Sequence, residues 1–132
     1  MKAYCQLLIC VTVLLSISAS ASTQEDAAAD AVAAAFINAR SAAQLPKLER
    51  MGKNTFREKV CKHDMRFSSG LIETSLYETS DPGQLSGSAQ KMAVAQWPGR
   101  TAARFGIGVC LTGSTSGGKP TYSVLIATYE SR

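Results

Sequence analysis

The stretch that decides the fold is Arg104-Phe105-Gly106-Ile107-Gly108-Val109-Cys110-Leu111, followed by Gly113 to Pro120 and then Thr121-Tyr122-Ser123-Val124-Leu125-Ile126-Ala127-Thr128-Tyr129. Phe105, Ile107, Val109 and Leu111 alternate with period two, which is the strand repeat. The Gly/Ser-rich segment between the two runs is a turn, so the last thirty residues predict a β-hairpin. Apolar residues on both faces of the second run indicate a sheet covered on both sides. Gly106, Gly108 and Cys110 share one face of the first run. Without side chains at the two glycines, another element can approach the sheet closely there.

Working outward, three helices and one more strand are expected. Ala-rich Ser22 to Arg40 carries Val32, Ala35, Phe36 and Ala39 at helical spacing, with Thr23 and Asp26 as a capping pattern at its start. Pro46 forbids continuation, leaving Leu45-Pro46-Lys47-Leu48 as an extended connector. Thr55 to Glu58 reads as a capping box opening a second helix that runs on through Cys61 toward Met65 and Phe67. Leu71 to Thr79 reads as a strand, Ser80 to Ser88 as a loop, and Ser88 to Trp97 as a third helix ended by Pro98-Gly99. Placing the second helix over the glycine stripe brings Cys61 to Cys110. The expected class is α+β, a three-layer α-β-α sandwich with a C-terminal antiparallel hairpin.

Residues 1–21 read as a signal peptide: Lys2, the apolar run Leu7 to Ile17, then Ala19-Ser20-Ala21 as the cleavage site. Cleavage removes Cys5 and Cys10 and leaves residues 22–132 as a single domain with two cysteines. In an exported chain these are expected to pair as Cys61–Cys110, a cross-link worth roughly 4 kcal/mol in the chain-entropy model. The apolar run is short for a span, so no stable membrane span is expected after cleavage, and the localisation is secreted or otherwise extracytoplasmic.

Of 132 residues, 14 are basic and 10 acidic, for a formal charge of +4 with the basic residues scattered. Scattered charge does not predict nucleic-acid binding. The single histidine, His63, is the one side chain suited to acid–base work near neutral pH, and Glu73 is a carboxylate that could pair with it. One histidine and dispersed carboxylates do not make a metal site, so neither metal nor cofactor is expected. No Gly-x-Ser-x-Gly elbow supports a serine triad, and Gly117-Gly118-Lys119 lacks the spacing and following helix of a phosphate loop.

The order of these pieces resembles a CAP-superfamily domain, the cysteine-rich secretory, antigen 5 and pathogenesis-related family. Phe36-Ile37-Asn38-Ala39-Arg40 with Leu45-Pro46-Lys47-Leu48 resembles the end of that family's first helix and its "LP-x-L" segment. Met51 to Met65 resembles its second helix, Trp97-Pro98-Gly99-Arg100 its Trp-Ser-His segment, Arg104 to Cys110 its "IGVGVA" strand, and Thr121 to Tyr129 its final strand. The family's two-histidine, two-acid cleft is not reproduced: Glu73 matches one acid, Arg100 stands near the expected second histidine, and His63 is the sole histidine. The resemblance implies a reduced, divergent member and a non-enzymatic module binding a lipid, peptide or partner surface, with Trp97 and Arg100 as ligand-binding candidates. The alternative is a small extracytoplasmic hydrolase using His63 and Glu73.

Overall fold

The computed structural model describes the backbone of residues 2–97 and 99–131 and the side chains of residues 22–97 and 99–131. It is a mixed α+β molecule with elements in the order α1 (Lys2–Ala42), β1 (Glu49–Arg50), α2 (Arg57–Cys61), β2 (Leu71–Thr79), α3 (Gly87–Ala93), β3 (Ala102–Ser114) and β4 (Pro120–Glu130). The four strands form one mixed sheet in the order β1-β3-β4-β2, with β1 parallel to β3 and the other pairs antiparallel. The hairpin is the centre of the sheet, and its register sets Ile107 opposite Ile126 and Gly108 opposite Leu125.

Two buried clusters lie on the two faces of that sheet. One gathers Phe105, Ile107, Val109, Tyr122, Val124 and Ile126 with Ala28, Ala29, Val32, Ala33 and Phe36 of α1 and Ala89, Met92 and Ala93 of α3. Three alanines on the buried stripe of α1, Ala28, Ala29 and Ala33, hold the helix close, and the Phe36 and Phe105 rings meet at 5.0 Å. The other cluster gathers Leu125, Ala127 and Tyr129 with Phe56 and Val60, and Cys110 packs against it.

The glycine stripe does what its pattern predicts. A Cβ on Gly108 would lie 2.4 Å from the Phe56 carbonyl oxygen, and one on Gly106 would lie 2.3 Å from the Phe56 ring. The residue in contact is the one just before α2. Cys61 and Cys110 are joined, with Cα atoms 5.3 Å apart, across a sequence separation of 49.

Several expectations need correction. The α1 helix is continuous from Lys2 to Ala42, so Ser22 to Asp26 is not a helix terminus in the full chain. The expected leader, residues 1–21, has its side chains outside the described ones. The Thr55–Glu58 capping box does not form. Phe56 occupies the N-cap with no side-chain cap, because its N–H donates to Ile107 O of β3, and the Thr55 hydroxyl donates to Gly52 O instead. α2 is also shorter than its pattern. His63 adopts φ +54°, its N–H donates to Val60 O, and the Asp64 N–H donates to Lys59 O. These two bonds are a Schellman C-cap, which ends the helix before Met65 and Phe67. Phe67 still reaches Phe56, edge-on at 5.9 Å, from a loop. α1 ends the same way at Gln44, φ +57°, with Gln44 N bonding Ser41 O and Leu45 N bonding Arg40 O.

The third helix stops at Ala93 rather than Trp97. The Arg40 guanidinium takes the Ala93 carbonyl, and the Trp97 indole N–H turns away to donate to Glu73. A two-residue strand inside the Glu49–Arg50 connector was not anticipated; it pairs with Arg104 and Phe105. Beyond it, the free edge of β3 is closed group by group. Met51 N bonds Phe105 O, Phe56 N bonds Ile107 O, the Asn54 amide both donates to Val109 O and accepts from Val109 N, and Glu25 accepts from Leu111 N.

Candidate ligand-binding cleft

Arg40 is in the last turn of α1 and is 6 % exposed. Its Nε and Nη2 both donate to Pro46 O, at 3.1 and 2.9 Å, and its Nη1 donates to Ala93 O at 3.1 Å. The guanidinium therefore ties together the end of α1, the Leu45–Leu48 connector and the end of α3. Helix C-terminal carbonyls carry partial negative charge, which suits a cation at this place. Burial pushes the Arg40 guanidinium down from its ordinary value. Among the described residues no carboxylate forms an ion pair with it.

Two cavities open on either side of this group and share Arg40 and Leu45 as walls. The first, about 190 Å³, is otherwise lined by Ile37, Ser41, Lys47, Leu48 and Phe105. The second, about 210 Å³, is otherwise lined by Pro46, Ala95, Gln96, Trp97, Arg100, Thr101 and Ala102. Among the described residues no acidic side chain lines either one. The extended Leu-Pro-Lys-Leu segment thus has a structural meaning: Pro46 supplies the carbonyl that Arg40 grips, Leu48 is buried in the core, and Leu45 is the wall between the two cavities.

Trp97 and Arg100, the ligand-binding candidates, are brought together in the second cavity. The tight turn joining them closes with Arg100 N donating to Trp97 O at 3.1 Å and uses Gly99 at φ +74°; Pro98 between them lies outside the described residues. Trp97 is half-buried, with its indole N–H held by Glu73 Oε2 at 2.9 Å. Arg100 donates from Nε to Glu130 Oε1 at 2.6 Å and from Nη2 to Leu71 O at 2.9 Å. The hydrogen bond with Glu130 pushes the Arg100 guanidinium up and holds the Glu130 carboxyl down.

His63 and Glu73, the acid–base candidates, are in different surroundings. His63 is exposed at the turn that ends α2, on the side of the sheet occupied by Phe56 and Val60. Glu73 points to the opposite side, where it meets Trp97. Neither a hydrogen bond nor an ion pair joins them among the described residues.

Glu25, Cys61 and Cys110 form the group with metal-ligand chemistry among the described residues, their donor atoms lying within 4.8 Å of one another. Those donors are spent. The two sulfurs are bonded to each other, and Glu25, 4 % exposed, accepts from Arg57 Nε at 2.7 Å and Leu111 N at 2.8 Å.

Arg40, Glu25 and Asn54 escaped the sequence reading. Arg40 looks like an ordinary basic residue closing a helix, and its one local signal is the Leu-Pro segment that follows. The bonds of Glu25 and Asn54 to β3 join residues 86 and 55 positions apart, and no local pattern encodes them. Among the described residues no helix is long and apolar enough to cross a membrane. No family model, curated protein or solved structure matches the chain.

Proposed function

We propose that the chain is a secreted, non-enzymatic binding module, a reduced CAP-like domain in a three-layer α-β-α arrangement, whose ligand occupies the cleft around Arg40. Support for the layered arrangement comes from the two buried clusters, one bearing α1 and α3 and the other Phe56 and Val60. Support for export comes from the leader-like N-terminus and the Cys61–Cys110 bridge, since disulfides persist in oxidising compartments. The observation that carries the binding reading is the convergence of Trp97 and Arg100 on a cavity wall shared with the buried Arg40. Concave sites with apolar walls and a few fixed polar groups are where small ligands are held. The separation of His63 from Glu73 leaves the histidine without the carboxylate partner that hydrolysis would require of it.

Native mass spectrometry of the protein collected from the medium of a secreting host tests this. The expected result is a non-covalent adduct, a lipid or peptide fragment, that is lost in Trp97→Ala and kept in His63→Ala. A bare protein that hydrolyses esters, with turnover abolished in His63→Ala, would overturn the reading in favour of a hydrolase.

A further inference from the structure

We propose that the cavity between α1 and the Leu45–Leu48 connector takes a compact apolar monocarboxylate, its carboxylate meeting Arg40 and its body lying against Ile37, Leu48 and Phe105. This rests on the binding reading above, that the cleft around Arg40 holds a ligand, and assigns a ligand class to the one of its two cavities that Trp97 does not line. A guanidinium has five N–H donors. Three of those on Arg40 are used, by Pro46 O and Ala93 O, and one remains on each terminal nitrogen. The acceptors are neutral carbonyls, so the charge is solvated by dipoles but not balanced. A buried charge without a counter-ion is unfavourable unless something of opposite sign reaches it.

The surroundings sort the ligand. Lys47 stands at the same cavity, Arg100 stands at the adjoining one, and the lining carries no acid among the described residues, so the local field favours an anion. Arg100 already has Glu130 as partner, and Arg40 and Lys47 have no carboxylate among the described residues. Four apolar side chains, Ile37, Leu45, Leu48 and Phe105, make up most of the remaining wall, which a fully hydrated ion such as sulfate would leave unsatisfied. A volume of about 190 Å³ is the size of cavity that holds a single small ring. One negative group on a small apolar body fits all of these; a dianion or a polar sugar does not.

The test uses the full secreted protein with its disulfide, titrated with benzoate and cyclohexanecarboxylate and, in parallel, with benzamide and benzyl alcohol. Isothermal titration gives affinity, and the arginine Nε–H resonances report the site. The expected result is one-to-one saturable binding of the acids that moves the Arg40 resonance. The neutral analogues should bind about ten-fold or more weakly, as loss of a charge-assisted hydrogen bond implies. Replacing Arg40 itself would undo three hydrogen bonds of the fold, so the variants are Lys47→Glu, at an exposed position, and Ile37→Trp, which fills the cavity. Lys47→Glu should weaken the acids several-fold and leave the neutral analogues unchanged; Ile37→Trp should abolish binding of both. Neutral analogues that bind as tightly as the acids and shift the same resonances overturn the charge assignment while leaving the cleft a ligand site. Acids that bind elsewhere, with the Arg40 resonance still, overturn the assignment alone. No response of the cleft to any probe, with no adduct on the secreted protein, overturns this inference and the binding reading together.

Discussion

The carbonyl oxygen of Phe56 occupies the space that a side chain on Gly108 would need, 2.4 Å from the ideal Cβ position. At Gly106 the corresponding obstacle is the Phe56 ring, a side chain with some freedom to move; at Gly108 it is backbone, fixed by the Phe56 N–H bond to Ile107 O. Gly108→Ala should therefore destabilise more than Gly106→Ala, with Gly108→Val costing about 1–3 kcal/mol or more through overpacking. Gly117→Ala, whose Cβ would have ordinary clearance from Thr115, should change stability by less than about 0.5 kcal/mol. Denaturant midpoints of the four variants check the order. Displacement of Phe56 should also loosen Cys61, so Gly108→Val should be reduced faster by a fixed concentration of thiol than Gly117→Ala.

Glu25 and Asn54 stand in for a missing strand along the edge of β3. Asn54→Ala leaves Val109 N–H and C=O without partners, and Glu25→Ala does the same to Leu111 N–H. Each should cost about 1–3 kcal/mol, the price of a buried polar group left unpaired. Bared β edges also recruit other chains. Thermal unfolding should fall in both variants, and light scattering on mild heating should rise above that of the parent protein.

Both Schellman turns are closed by residues other than glycine. His63 and Gln44 hold φ near +54° and +57°, a region where a Cβ is unfavourable. His63→Gly and Gln44→Gly should each stabilise by about 0.5–1 kcal/mol after allowance for the added freedom of the unfolded chain. A melting temperature that falls in His63→Gly would show that the imidazole has a role beyond its backbone angle.

Tyr77 packs against the core with its hydroxyl buried and unpartnered among the described residues. Burial raises its pKa from 10.0 to about 12. The folded state thus holds the phenol proton where the unfolded state has released it. Stability from this group is fully present below about pH 10 and is lost as pH rises toward 12. In Tyr77→Phe the decline between these limits should be shallower. At neutral pH the variant should be as stable as the parent or slightly more so, because it removes an unpaired buried hydroxyl. Denaturant midpoints across the alkaline range, with tyrosinate absorbance read alongside, check both statements.

Removing the bridge with Cys61→Ser and Cys110→Ser together should cost about 4 kcal/mol, the loop-closure entropy for a sequence separation of 49. Equal unfolding midpoints for parent and double variant would mean that the unfolded chain gains no freedom from the cut.

Much of the fold was written in local pattern. The alternation of Phe105 to Leu111, the Gly/Ser turn and the β-branched run after it specify the hairpin because period two can serve only a strand. The ends of α1 and α3 and the lengths of α2 and α3 were less legible. Phe67 has helical spacing from Phe56 yet reaches it through a loop, because His63 turns the chain first. The spacing that places a side chain on one helix face does not reveal whether the helix survives to that residue.

The sequence by itself determined the central hairpin, the close approach at Gly106 and Gly108 and the pairing of Cys61 with Cys110, since each depends on residue types whose geometry is restrictive wherever they occur. Only the tertiary structure decided the cleft. Arg40 becomes a buried cation because α3 ends beside it and Pro46 folds back over it, and Trp97 and Arg100 join it because an indole N–H finds Glu73 across the sheet. Those are bonds between residues 53, 6 and 24 positions apart, and of these only the shortest lies within reach of a local motif. Burial and long-range hydrogen bonding, which turn an ordinary basic residue into a buried cation joining three segments, come into being when the chain packs.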